Sequence, residues 1–246
     1  MKTVLITGCS SGYGLATARY FHERGWRVIA SMRSPRPGLF PSSDRLRILA
    51  LDVTRAESIA TAVDAAGPID ALVNNAGIGA FGAFEATPMA MAREIFETNT
   101  FGMMAVTQAV IPRLRARGSG VIVNVTSSAT LAAFPLVAVY TASKAAIEGF
   151  TGSLALELGA LGIRAKLVEP GYGPGTAFTQ NSGPRATGMI PEAYASFAER
   201  VFAGMRQTEA VTVDTDVAAV VYEAVNDPSD RLRYAAGPDA QALAAR

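Results

Sequence analysis

Short apolar runs rich in β-branched residues recur along the chain at residues 4–7, 28–32, 46–51, 71–74, 121–125 and 165–168. They are nearly continuous rather than strictly alternating, which predicts strands covered on both faces. Between them, apolar residues recur at helical spacing over 14–24, 55–66, 89–117 with a break near Asn99, 140–158 and 214–225. A last strand is expected at 233–236. Strands alternating with helices predict an α/β fold, a doubly wound parallel sheet flanked by helices. No repeat or linker interrupts the pattern, so 1–246 is expected to form one domain.

Two stretches depart from it. Residues 34–43, with Pro35, Pro37 and Pro41, fit a surface connection. From Pro170 to about Arg206, glycines and prolines are mixed with Phe178, Met189, Ile190, Tyr194, Phe197 and Phe202, which is apolar for a loop. Ligands of open α/β sheets bind beyond the carboxyl ends of the strands. Residues 172–206 are therefore expected to form a substrate lid.

Composition narrows the chemistry. With 22 basic against 21 acidic residues, the chain has no bulk field to hold nucleic acid or an anionic membrane. Its single cysteine, Cys9, and single histidine, His22, exclude an internal disulfide framework and a Cys/His zinc cluster, and no metal is expected. Cys9 fits a small residue in a turn better than a catalytic thiol, and His22 fits helix packing. The N-terminal apolar stretch is too short for a signal peptide, and no run approaches the roughly 20 residues of a membrane helix. A cytoplasmic setting is the expectation.

Directly after the first strand comes Thr7-Gly8-Cys9-Ser10-Ser11-Gly12-Tyr13-Gly14, followed by a helix. Glycines permit a tight turn that brings backbone N–H groups and a helix N-terminus up to a pyrophosphate. Alone, the turn also fits an ordinary strand-to-helix connection. Tyr140 and Lys144 are four residues apart, on one helix face. A phenol ordinarily titrates near pH 10, and a neighbouring ammonium favours its ionised form. The chain has three lysines against nineteen arginines, so a chance Tyr-x-x-x-Lys is expected about 0.1 times. The bland alternative is a helix-surface pair.

The TGxxxGxG turn, Asp52-Val53 after the third strand, Asn74-Asn75-Ala76-Gly77 after the fourth, the ordered set Asn99, Ser127, Tyr140 and Lys144, and Pro170-Gly171 after the sixth strand together resemble the single-domain short-chain dehydrogenases/reductases. The resemblance implies a Rossmann-type fold. It implies Tyr140 as acid or base, Ser127 on the substrate oxygen, Lys144 on the nicotinamide ribose, and Asn99 holding a water in a proton relay. The cofactor would meet Gly8, Ser10, Ser11, Gly12, Tyr13, Gly14, Asp52, Val53, Asn75, Ala76, Gly77, Pro170, Gly171 and Thr176. Alternatives stay open: Ser128 or Thr126 could replace Ser127, and Asn99 could be a helix N-cap. Tyr13 stands where many relatives have isoleucine, and the segment 171–176 is one residue longer than the commonest pattern.

NAD-preferring relatives carry an acid at the end of the second strand; here that position is Met32, followed by Arg33. A guanidinium there suits a 2′-phosphate, so NADP(H) is expected over NAD(H), with Arg33 as a solvated loop residue the alternative. The expected activity is hydride transfer between nicotinamide and a carbonyl or secondary alcohol of an apolar small molecule. A dinucleotide-binding sensor or interaction protein of the same fold is the competing expectation. The resemblance also implies a homodimer or homotetramer through the helices over 99–117 and 140–158.

Overall fold

The computed structural model describes residues 1–176, 182, 185–208 and 210–246. Seven strands form one parallel sheet in the order β3-β2-β1-β4-β5-β6-β7. They are β1 (Thr3–Ile6), β2 (Arg27–Met32), β3 (Leu46–Ala50), β4 (Ala71–Asn74), β5 (Gly120–Val125), β6 (Ile163–Pro170) and β7 (Arg233–Ala236). The order reverses between β1 and β4, which opens a crevice at the carboxyl ends of these two strands.

Successive strand residues feed opposite cores. Val4, Ile6, Val28, Ala30, Val73 and Val123 pack with Phe21 and Trp26 under α1 (Gly12–Glu23) and α7 (Asp214–Asn226). On the other face, Leu5, Ile29, Leu72 and Ile122 meet α2 (Ala56–Ala66), α4 (Gly102–Arg117) and α5 (Ala138–Gly159) through Ile59, Val63, Val110, Leu114 and Leu154. Each fully buried Val, Leu or Ile contributes about 1.5–3 kcal/mol. Burial on both faces explains the continuous apolar runs.

The break near Asn99 is a π-helical turn, Glu97–Phe101, that joins α3 (Met89–Phe96) to α4 without ending the helix. Asn99 is therefore not an N-cap. Its amide exchanges hydrogen bonds with the Ile78 backbone, accepting from N at 2.8 Å and donating to O at 2.9 Å. Such turns collect at functional sites because they re-aim side chains out of helical phase.

The segment expected as an irregular lid contains a helix, α6 (Ala195–Arg206), after a short 3₁₀ turn. Pro191 precedes the turn, and Ala, Glu, Arg and Met then favour a helix. A last helix, α8 (Pro238–Ala244), also went unexpected. Phe178 lies outside the described residues.

Candidate active site

A cavity of about 830 Å³ runs along the carboxyl ends of the strands. At its floor, Gly8 holds φ at +74°, and a Cβ there would stand 2.8 Å from the Ala76 Cα. Gly14, in the first turn of α1, lies beneath the cavity surface, where a Cβ would overlap the Gly8 carbonyl oxygen and the Asn75 amide. The Asn75 amide donates to Thr7 O at 3.0 Å and Gly8 O at 3.3 Å, and the Thr7 hydroxyl accepts from the amides of Asn75 and Ala76 at 3.0 Å each. Thus the glycine turn and the end of β4 hold each other. Asn74 extends this support into the sheet, donating to Asn124 and Thr107 at 2.9 Å.

One end of the cavity is lined by Ser10, Ser11, Gly12, Met32, Arg33, Asp52, Val53, Ala76 and Gly77. Arg33 is exposed at its edge, and the neighbouring Arg36 donates to the Ser10 carbonyl of the glycine turn. Sequence pairing had no means to place Arg36 there. Asp52 accepts from the Thr54 hydroxyl at 2.7 Å and the Thr54 amide at 3.0 Å, bonds that lower its pKa.

At the other end lie Ser127, Tyr140 and Lys144. Ser127 leaves β5 in extended conformation, and its hydroxyl accepts from the Ala129 amide at 3.2 Å, starting a 3₁₀ turn. It is hydrogen-bonded to Tyr140, while the Thr126 hydroxyl donates to Val168 O at 3.3 Å. Burial pushes the Tyr140 phenol up to about 12, with the Ser127 bond acting the other way. The buried Lys144 ammonium lies 5.9 Å from the Tyr140 ring centre; desolvation lowers it to about 8, opposed by Glu148 one turn along. Asn99 stands behind this group, not on the cavity wall, and donates to the Ser143 hydroxyl at 3.0 Å. A Cβ at Gly77 would lie 3.3 Å from Asn99 Oδ1 and 3.5 Å from Lys144 Nζ. Glycine there lets the β4 turn approach both.

Other residues join the site from afar. Glu148 Oε1 is 3.1 Å from the Thr130 hydroxyl, which lies 2.7 Å from the Ser127 carbonyl oxygen. Glu148 also pairs with Arg233, as does Glu169 at 2.6 Å. Tyr13 lines the cavity and donates to Gly171 O at 3.4 Å, while Thr176 lines it with its hydroxyl donating to Gly173 O at 2.9 Å. Pro170 and Gly171 complete that wall.

Among the described residues of the segment expected as a lid, the apolar side chains named from the sequence do not line the cavity. Val201, Gly204, Met205 and Arg200 line it, whereas Met189 is buried against Ala80 and Ile95. Phe202 instead sets its ring edge-on to Phe81 at 6.5 Å. Cys9 is fully buried, its thiol donating to Ile6 O at 3.3 Å and pushed up to about 12 by desolvation. His22 bonds the Ser43 hydroxyl at 2.9 Å. Among the described residues, no cluster of three or more metal-ligating side chains occurs, and no helix is long and apolar enough to cross a membrane.

This arrangement of glycine turn, reversed strand order and a Ser-Tyr-Lys group lining one cavity on a parallel sheet coincides with a family match: residues 2–186 fit the short chain dehydrogenase family, and the chain belongs to it. The uncharacterized oxidoreductase YusZ of Bacillus subtilis is 37% identical over 96% of this chain and 89% of its own. A short chain dehydrogenase of Burkholderia cenocepacia solved with NADP superposes with a TM-score of 0.76 at 27% identity, covering 100% of this chain and 94% of that one. A 3-ketoacyl-(acyl-carrier-protein) reductase of Brucella melitensis solved with NADH gives 0.79 at 25%, covering 95% and 96%. Membership carries oxidoreductase chemistry on alcohol or ketone groups of small molecules.

Proposed function

We propose that this chain is an NADP(H)-dependent oxidoreductase that interconverts a carbonyl and a secondary alcohol on a mainly apolar small molecule, with Tyr140 as the proton donor or acceptor. The observation that carries it is the bond between Ser127 and Tyr140, beside the Lys144 ammonium, at one end of a cavity whose other end bears Arg33. The residues fit a dinucleotide: the small residues Gly8, Ser10, Ser11 and Gly12 line the same cavity as Arg33 and Tyr140, and their turn is packed so closely on the end of β4 that a Cβ at Gly8 or Gly14 would meet the chain's own Ala76, Asn75 or Gly8 atoms. Gly8, Ser10, Ser11 and Gly12 would hold the pyrophosphate, Asp52, Val53, Ala76 and Gly77 the adenosine side, and Lys144, Pro170, Gly171 and Thr176 the nicotinamide side. When bound, the nicotinamide supplies or accepts the hydride.

The chain's own groups supply the rest. A phenol at about 12 is protonated at neutral pH, ready to hand its proton to a carbonyl oxygen gaining charge. An ammonium near 8 is about ten to one protonated at pH 7, so it stabilises the phenolate left behind. The Ser127 hydroxyl steadies the same oxygen, and Asn99, fixed to Ile78, orders the back of the group. Phe81, Phe134, Pro135, Val137, Val201 and Met205 give the substrate end apolar walls.

For the cofactor, Met32 leaves no carboxylate at the end of β2, and Arg33 with Arg36 puts two guanidinium groups at that rim. Fluorescence titrations with NADPH and NADH test this directly. NADPH is expected to bind at least about tenfold tighter, and Arg33→Asp to erase that margin. Tighter NADH binding would reject the NADP assignment. In a screen of apolar ketones, Tyr140→Phe is expected to keep cofactor binding and lose turnover; full turnover by that variant would reject the mechanism.

A further inference from the structure

The turn after β6, which lines the cavity, is held by residues beyond the family match, which ends at 186. The turn after β6 is gripped from three sides. Gly171 N donates to Ala236 O at 3.0 Å at the end of β7. Tyr172 N donates to Asp239 Oδ2 at 2.6 Å, and Tyr172 O accepts from Thr212 N at 2.8 Å. The Thr212 hydroxyl closes the circuit, donating to Asp239 Oδ1 at 2.5 Å. Both oxygens of one carboxylate are thereby engaged.

Three glycines make room for these groups. A Cβ at Gly171 would overlap the Asp239 carboxylate, one at Gly173 the Tyr13 hydroxyl, and one at Gly237 the Thr212 hydroxyl. Gly237 also holds φ at +97°, which disfavours any side chain there. Asp239 and Tyr13 both line the cavity. Tyr172 and Thr212 are, moreover, the two ends of the chain segment that carries α6 across the cavity.

We propose that Asp239 is a positioning residue: by gripping Tyr172 N and the Thr212 hydroxyl, it sets the 171–173 turn against the nicotinamide end of the cavity and ties the two ends of the segment above it. The proposal rests on the dinucleotide assignment made above. Hydrogen bonds to a charged acceptor are the stronger kind, so their loss should be felt. The loss should be local, because the adenosine end is built from β1, β2, β3 and β4 and has no contact with Asp239.

The test compares two ligands on the purified full chain: NADPH, which reaches the turn, and adenosine 2′,5′-bisphosphate, which occupies only the adenosine end. Asp239→Ala is expected to weaken NADPH about ten- to a hundredfold while changing the fragment less than about twofold. Asp239→Asn, which keeps an acceptor for Tyr172 N, should recover most of the loss. If Asp239→Ala does not fold, Thr212→Val removes only the hydroxyl donor and should weaken NADPH in the same selective way. Equal weakening of both ligands, or tight NADPH binding untouched by either variant, would overturn the proposal alone. Failure of the wild-type chain to bind NADPH or NADH would overturn the dinucleotide assignment and the proposal with it.

Discussion

The ammonium of Lys144 donates to the carbonyl oxygen of Val125 at 2.9 Å, joining α5 to the last residue of β5 inside the candidate active site. Burial lowers Lys144 to about 8, so its charge is present below that pH and lost above it. If the ammonium holds a cofactor ribose, dinucleotide affinity should be flat below pH 7 and fall by up to about tenfold per unit above 8. Stability moves the opposite way. The unfolded lysine, titrating near 10.5, holds more protons than the native one between 8 and 10.5, so this group's contribution to stability rises across that window. Titrations from pH 6 to 9.5 beside melting curves separate the two effects. Lys144→Arg, charged throughout, should flatten the binding profile; a flat wild-type profile would remove Lys144 from the cofactor site.

Gly14 offers a steric test. Its missing side chain is what allows α1 to start against the Gly8 carbonyl and the Asn75 amide. Gly14→Ala should cost about 1–3 kcal/mol through forced shifts of backbone, lowering Tm by about 3–10 °C for a chain of this size. NADPH binding should fall with it, since the displaced atoms belong to the turn. A variant with unchanged Tm and affinity would mean that the turn yields freely, contrary to the overlap.

Much of the frame was legible because its physics is local. The inner strands are buried on both faces, so each writes an apolar run that needs no partner to be seen; the edge strand β7 at 233–236 also matched to the residue. The site was legible where spacing on one element mattered, as for Tyr140 and Lys144 on α5. It was not where distant segments meet. Asp239 and Thr212 are 67 and 40 residues from Tyr172, and nothing in the local pattern around any of them marks the encounter. In the segment after Pro170, expected as a loop, the aromatic residues drew attention, but it is Val201 and Met205 that line the cavity. Scarcity of lysine singled out Lys144 and would equally have singled out Lys166. That residue is 1% exposed and donates to Tyr234 at 2.7 Å and to the carbonyl groups of Asp227 and Ser229, a packing role.

The Glu148–Arg233–Glu169 group couples the edge strand β7 to the site. Arg233 bridges the two buried carboxylates, and desolvation together with Glu148 raises the Glu169 pKa. Arg233→Met leaves both acids without it. The cost should be about 2 kcal/mol, below that of a fully buried pair because the Arg233 side chain is half exposed. A carboxyl group raised in the native state binds more protons there than in the unfolded chain, so the variant's stability should fall as pH rises above the ordinary Glu value. Denaturation at pH 5.5 and 8 checks the sign: the deficit against wild type should be larger at 8. An equal deficit at both would show that the carboxylates do not sense Arg233.

Gly149, Gly152 and Leu156 follow one another at helical spacing on α5, and this face is open: no atom lies within 4 Å of a Cβ built at either glycine, and Leu156 is 83% exposed. Phe101, at the junction of the π turn with α4, is also more than half exposed. Small residues let a second helix approach closely, and an exposed leucine beside them gains apolar burial when it does. A homodimer or homotetramer through α4 and α5 would meet both conditions. Light scattering should then return a multiple of 25.7 kDa, and Leu156→Arg should move the mass toward one chain, because a guanidinium buried without a partner opposes closure. Leu156 reaches into no part of the cavity, so NADPH affinity of the separated chains should stay within about twofold of wild type. A wild-type mass near one chain would instead mean that this helix face is simply solvated.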